Sequence, residues 1–404
     1  MTRGAWTAFV ALLVFTMGTS IVTPLFPLYQ ERFDLSNGEI TLLFATYTFT
    51  VVPTMLVMGN LSDRIGRKRV MFPAMASLTA ASLALGFAES VPLLFAGRVL
   101  QGLAIGGFLG VGTALVVDHA AQARRAFVAI VAGVGFRLGF GLGPGLAGLI
   151  AQYSGGDPLH RPFQGHAMLM AVAVLALVLT PETIRRRPMG RIRMSVGVPA
   201  GQLLAFATFL APAAFLMSFL DATLLSVVPL YMAETLEVDN IALIGLVGFL
   251  ILGAGGITPL FAGRIPPRAS VMIGVAAASS ASLLVVGAAA FDTVALVIVA
   301  AGVIGLLNGL ILQGGAAICG VSVPVSERGK LMSALYMCAY SGTIPTVGLG
   351  YLSGAIGLTP ALLVSSLGAL GLAAFVLTVG RRSFRRVVPY VEPPPVDALA
   401  KVPA

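Results

Sequence analysis

Three ionisable residues stand inside apolar segments long enough to cross a bilayer, at ~20 residues per helix. Asp221 interrupts the segment 202–231, Arg98 the segment 91–117 and Arg137 the segment 126–152. Counted from the nearer polar boundary, Asp221 is roughly 15 Å deep, Arg98 ~10 Å deep and Arg137 close to the midplane, at 1.5 Å per residue. An unpaired ionised carboxylate there costs at least ~2.5–3.5 kcal/mol, so embedded charges mark proton relays, ion pathways or substrate contacts. The chemistry open to one acid and two guanidiniums is reversible protonation and recognition of an opposite charge. Asp221 is the candidate proton carrier, with Arg98 at similar depth its candidate regulator. Burial and a neighbouring guanidinium act on a carboxylate in opposite senses, so its protonation can be switched by its surroundings. A fixed Arg98–Asp221 salt bridge is the structural alternative. Arg137, with glycines nearby at 133, 139 and 141, is the candidate contact for an anionic group; a packing arginine satisfied by carbonyls is its alternative. With Asp221 ionised the three carry one net positive charge, which suits neutral or anionic substrates better than cations.

Other embedded groups extend this set. Gln101 and Asn308 can orient a ligand, and Tyr29, Tyr231, Tyr336 and Tyr340 can line a cavity, the last two sharing a helix face at i, i+4. The 15 Met and 23 Phe suit an adaptable apolar pocket or a lipid-facing surface. His119, His160 and His166 lack metal-ligand spacing, and Cys319 and Cys338 lie in apolar segments, so neither a metal site nor a disulfide is expected. No nucleophile–base pair and no phosphate-binding glycine loop with Lys-Ser/Thr is present. The chain reads as neither an enzyme nor a nucleotide-driven pump, with no cofactor.

The elements that position these residues follow from composition. Of 404 residues 57% are hydrophobic and 10% charged, with mean hydropathy +0.96; soluble domains are about 45–50% apolar and ~25% charged. A membrane barrel is excluded because its strands are ~10 residues of alternating polarity. Helices remain, as segments 7–29, 40–58, 71–89, 91–117, 126–152, 165–181, 202–231, 240–262, 270–290, 293–322, 330–354 and 358–379. Alternate loops hold 21 of the 25 Lys and Arg, and the opposite loops hold only Arg32 and Arg161. The positive-inside rule then places both termini in the cytoplasm, and the net charge of +9 reflects the membrane rather than nucleic acid. Pro27-Leu28-Tyr29 recurs as Pro229-Leu230-Tyr231, which points to duplication of a six-helix unit. The expected organisation is a six-helix bundle over 1–181, a cytoplasmic linker over 182–199, a second bundle over 200–380 and a basic, proline-rich, disordered tail over 381–404.

The loop after the second segment reads Gly59-Asn60-Leu61-Ser62-Asp63-Arg64-Ile65-Gly66-Arg67-Lys68-Arg69. It resembles the signature loop of the major facilitator superfamily. Gly18, Pro24 and Pro27, Arg98-Val99-Leu100-Gln101-Gly102, and Gly139, Gly143, Pro144 and Gly148 match, in order, patterns of that family's twelve-span drug/proton antiporter branch, with Ala147 where a glycine stands there. Pro181-Glu182-Thr183 is a further mark. The second half has only Gly263-Arg264-Ile265-Pro266-Pro267-Arg268, a copy of the loop without its acid. The resemblance implies an all-α fold of twelve transmembrane helices, in two bundles that rock around a central cavity.

Within that frame Gly59, Asp63, Arg64, Gly66, Arg67 and Asp118 are the expected cytoplasmic gate, a charge cluster that locks the outward-open state. Gly139, Gly143, Pro144 and Gly148 are the expected helix seam, where small residues admit a close neighbour. The function expected is proton-coupled export of small amphipathic compounds from a bacterial cell across its inner membrane. The partners are substrate, protons and lipid, and the protein is a monomer because each half supplies one wall of the cavity. A narrow sugar, metabolite or organic-anion carrier, and a receptor or scaffold on the same fold, are the alternatives.

Overall fold

The computed structural model describes residues 1–58, 65–108, 110–183 and 196–384, the side chain of Ser326 excepted. Among them ten helices are long and apolar enough to cross a membrane. They are α2 (Asn37–Met58), α3 (Arg67–Gly86), α4 (Val91–Asp118), α5 (Arg125–Tyr153), α6 (Arg161–Val178), α7 (Ala200–Glu234), α8 (Ile241–Ala262), α9 (Pro267–Ala290), α10 (Val294–Ser322) and α12 (Leu358–Phe384). Two broken helices complete the twelve. In α1, Arg3–Met17 is followed by Phe26–Phe33, and in α11, Val325–Ser341 is followed by Pro345–Ile356. Each break begins at a glycine, Gly18 or Gly342, and Pro27 and Pro345 lie in the first turns of the second legs, where a missing N–H costs nothing. The apolar pattern runs through both breaks, which is why 7–29 and 330–354 read as single spans. Most of the expected linker (184–195), most of the tail (385–404), and Gly59, Asp63 and Arg64 of the gate lie outside the described residues.

Polar residues between the spans start the helices. Thr2 accepts a hydrogen bond from the Ala5 N–H at 3.1 Å, and Asn240 accepts one from Ala242 N at 2.9 Å. Ahead of α2, Ser36 and Glu39 form a reciprocal box: the Ser36 N–H donates to Glu39 Oε2 at 2.8 Å and the Glu39 N–H to Ser36 Oγ at 3.3 Å.

The helices form two six-helix bundles, with large apolar side chains both in the core and on the outer surface. On α6 and its C-cap, Met168, Val172, Leu175 and Leu179 are 64–81% exposed, a surface suited to lipid. Inside the first bundle, the His166 ring joins three helices. Its Nε2 lies 2.9 Å from the Val14 carbonyl and its Nδ1 2.8 Å from Ser82 Oγ. A carbonyl only accepts, so Nε2 carries the proton and the Ser82 hydroxyl donates to Nδ1.

One end of the molecule carries the N-terminus, Arg67, Asp118 and Glu182, drawn together by contacts such as Thr2 Oγ1 to the His119 carbonyl at 2.8 Å. We call it the basic face. At the far face Arg32 binds Glu89 at 3.1 Å and Asp157 at 2.9 Å. Burial raises the Asp157 carboxyl, but the Leu159 N–H, His160 and Arg32 together hold it below its ordinary value. That contribution to stability is present above the ordinary value of 3.8 and is lost as pH falls through the lower, folded value. Loop 154–160 should lose hydrogen-exchange protection on acidification in the native chain, with a smaller change in Asp157→Asn; identical profiles would remove the ion pairs from the account.

Across the far face the bundles meet. Gln152 of α5 accepts the Ile241 N–H of α8 at 2.7 Å, and Asn37 of α2 donates to Ser353 Oγ of α11 at 3.2 Å. The α5–α8 contact is backbone on backbone. A Cβ added at Gly148 would lie 2.7 Å from the Ile241 carbonyl oxygen and 3.0 Å from the Gly245 Cα, and one at Gly141 2.8 Å from Gly253. Gly148→Ala should therefore cost this closed seam about 1–3 kcal/mol, lowering the population of the state relative to the seam-open one at least roughly fivefold. The labelling rate of Ser333→Cys, on the wall of the space between the bundles, in a Cys319→Ser, Cys338→Ser background reads that population; an unchanged rate would mean that the seam has slack.

Candidate substrate cavity and proton site

Between the bundles lies a cavity of about 710 Å³ that reaches Arg67 and Thr113 at the basic-face ends of α3 and α4. That size is typical of a drug-sized ligand site. Its walls come from both halves: Phe44, Phe136 and Phe140 from the first, Met217, Tyr336 and Tyr340 from the second. Arg137 and Asp221 face each other across it, one from each bundle, and lie within coulombic reach.

Asp221 is held from behind. Asn308 Nδ2 donates to Asp221 Oδ1 at 2.7 Å and lies 3.3 Å from the Met217 carbonyl. Asn308 is fully buried, so it orients the carboxylate rather than lining the cavity. Asp221 is the one acid among the described lining residues.

Arg137 has room because α8 carries Gly255 and Gly256 beside it. A Cβ on Gly255 would stand 2.8 Å from Arg137 Nη1. The seam residues of α5 divide between two faces. Gly139 and Gly143 pack on Thr16, Met17 and Ser20 of α1, whereas Gly141, Pro144 and Gly148 pack on α8. The first pair closes one bundle; only the second set forms a seam between bundles.

Arg98 is elsewhere. Its guanidinium is 1% exposed and donates to the carbonyls of Leu43 (3.0 Å), Phe44 (2.7 Å) and Thr19 (3.3 Å) and to Gln101 Oε1 (2.6 Å). Gln101 Nε2 in turn donates to the Gly18 carbonyl at 2.8 Å. Gly18 and Thr19 open the break in α1, where carbonyls lose their helical partners. Arg98 and Gln101, at i, i+3 on α4, replace those partners. The expectation that Arg98 approaches Asp221 is corrected: Arg98 points into its own bundle, where its partners are carbonyls and Gln101. With Arg98 outside it, the charged residues that line the cavity among those described are Arg137, Asp221 and, at the basic-face end, Arg67.

Of the four tyrosines, Tyr336 and Tyr340 line the cavity. Tyr231 does not: its hydroxyl donates to the Val285 carbonyl at 3.0 Å and accepts the Ala289 N–H at 2.9 Å, tying α7 to α9. Tyr29 is 1% exposed, inside the first bundle. Sequence reasoning passed over Tyr47 and Gln313, both on the cavity wall; their helices show no polar periodicity that would single them out.

The described part of the gate is a cap. Gly66 has φ +107°, a conformation that favours glycine. Behind it Glu182 accepts the N–H groups of Arg67 at 3.2 Å and Lys68 at 3.0 Å, at the positive end of α3. Arg67 Nε donates to Asp118 Oδ2 at 3.2 Å and Thr183 Oγ1 to the same oxygen at 3.3 Å. These bonds join elements of one bundle and are intact while the cavity reaches that face. Gly59, Asp63 and Arg64 of the expected gate lie outside the described residues.

Two six-helix bundles around a central cavity, with an embedded acid and a cation facing across it, are the architecture of a multi-pass membrane transporter. The sequence profile of the Major Facilitator Superfamily matches residues 8–347, and the chain belongs to that family. It is similar to a tetracycline resistance protein, class D, of Salmonella ordonez, 26% identical over 83% of this chain and 85% of the relative. Multidrug resistance protein MdtL of Shigella flexneri serotype 5b is 31% identical over 32% of this chain and 33% of its own length. A crystal structure of a POT family transporter in complex with 5-aminolevulinic acid shares the fold, with TM-score 0.78 over 95% of this chain and 97% of that one at 13% identity.

Proposed function

We propose that the chain exports small amphipathic compounds in exchange for protons moving inward, with Asp221 the group at which proton and cargo take turns. The observation that carries this reading is the placement of Asp221, an embedded acid on the cavity wall, fixed by Asn308 and facing a cation of the opposite bundle. Arginine-rich loops set the basic face, and with it both termini, in the cytoplasm of a bacterial cell, its inner membrane enclosing the helices. The state described here is then inward-facing, ready to take cargo from the cytoplasm. Opening the α5–α8 seam while closing the basic face would carry the cavity to the other side. The resistance activities for which two relatives are named support export.

In proteoliposomes with an imposed pH gradient, a panel of cationic, neutral and anionic fluorescent amphiphiles should accumulate against its own gradient, and a protonophore should abolish that accumulation. Movement indifferent to the protonophore would leave a uniporter, and no movement of any panel member would favour a narrow metabolite carrier.

A further inference from the structure

Away from Arg67 at its basic-face end, the cavity carries one charged group of each sign, on opposite bundles. Among the described residues Arg137 makes no hydrogen bond or ion pair, although its guanidinium faces the cavity. Asp221 has one oxygen bound by Asn308, and it too forms no ion pair among the described residues. The two charges sense each other without touching. Arg67, the other described cation on the wall, is engaged by Asp118. Three phenols, Tyr47, Tyr336 and Tyr340, line the same cavity. Phe136 and Phe140, ring centroids 5.1 Å apart, add an aromatic wall on the Arg137 side.

We infer that the cargo is an amphipathic zwitterion with an aromatic body, its anionic group on Arg137 and its cationic group on Asp221, bridging the two bundles. This deepens the exchange reading and rests on it for direction. Charge balance selects the class. An anion alone would cover Arg137 and leave Asp221 bare in a poorly screened site, a cation alone would do the reverse, and a zwitterion answers both. A guanidinium presents a planar fork that matches a carboxylate. The exchange logic agrees. An ammonium group and a proton claim the same Asp221 oxygens, so they exclude each other, as antiport requires. A simple anion on Arg137 would not contest the proton.

The test uses four ligands on one coumarin body: carboxylate with tertiary ammonium, ammonium with the acid amidated, carboxylate with the amine acetylated, and neither charge. Binding to the purified full chain is read by fluorescence polarisation, without a gradient. Native protein should bind the zwitterion about tenfold or more tightly than each singly charged member. Arg137→Gln should reduce the zwitterion to the level of the cation while leaving the cation within about twofold, and Arg137→Lys should fall between. Asp221→Asn should reduce the zwitterion to the level of the anion. Equal affinity of native protein for zwitterion and cation, an equal loss across all four in Arg137→Gln, or no binding of any member would overturn the inference. Proton coupling is measured separately, so zwitterion preference in vesicles that ignore a pH gradient would sink the exchange reading and leave the cargo class standing.

Discussion

Asp221→Asn should reduce gradient-driven accumulation to the level of empty vesicles, while exchange of labelled for unlabelled substrate with no gradient, at concentrations that saturate the weaker-binding variant, stays within about threefold of native. The separation is the informative part. Asparagine has the size of aspartate and keeps an oxygen for the Asn308 Nδ2 donor, now 2.7 Å away, so the cavity wall should hold. About threefold corresponds to roughly 0.7 kcal/mol, near the lower end of what one neutral hydrogen bond contributes. What asparagine cannot do is bind and release a proton, and coupling depends on that step alone. Asp221→Glu keeps the titration but displaces the carboxyl from Asn308, so it should restore part of the accumulation. Vesicles in which the asparagine variant concentrates substrate as native protein does would place the proton on another group and remove Asp221 from the mechanism. The exchange arm also tells a coupling defect from a collapsed cavity, because collapse would stop both.

Asp221 could be singled out in the sequence because its signal is one-dimensional. Hydrocarbon thickness sets the length of each apolar segment and the cost of burying charge sets what falls inside it, so span count, the basic face and the depths of Arg98, Arg137 and Asp221 follow from position along the chain. Direction around each helix does not. Arg98 and Arg137 look alike in the sequence, yet one satisfies carbonyls within its bundle and the other faces the cavity. The same difficulty separates Tyr336 from Tyr231, and it separates Gly139 and Gly143 from Gly141 and Gly148 on a single helix. The Asn308–Asp221 contact spans 87 residues of sequence, beyond the reach of any periodicity. The breaks in α1 and α11 were hidden for a different reason: the residues within them are as apolar as the helices they interrupt.

The break in α1 is where the second large effect is expected. Arg98→Met should lower the thermal stability of the purified protein, by about 1–3 kcal/mol for a buried acceptor left without its donor, and transport should fall with the amount of folded protein. The Arg98 guanidinium holds the Thr19 carbonyl of α1, the Leu43 and Phe44 carbonyls of α2, and Gln101 beside it on α4, with the Tyr47 ring 4.5 Å away. Methionine fills part of the volume and answers none of these oxygens. In a bilayer a freed carbonyl has no water to turn to. The Leu43 and Phe44 carbonyls keep their helical partners inside α2, so the loss falls mainly on Thr19, where the α1 helix is interrupted. Gln101→Leu should have a smaller effect of the same kind through the Gly18 carbonyl. Arg98→Lys retains the charge but offers a compact ammonium in place of a planar fork, so it should recover only part of the lost stability. A methionine variant with native melting behaviour and native transport would mean that the α1 break supports itself. If Arg98 instead regulated Asp221, the methionine variant would fold normally and lose only its response to the proton gradient, so melting and gradient dependence together tell a scaffold residue from a coupling residue.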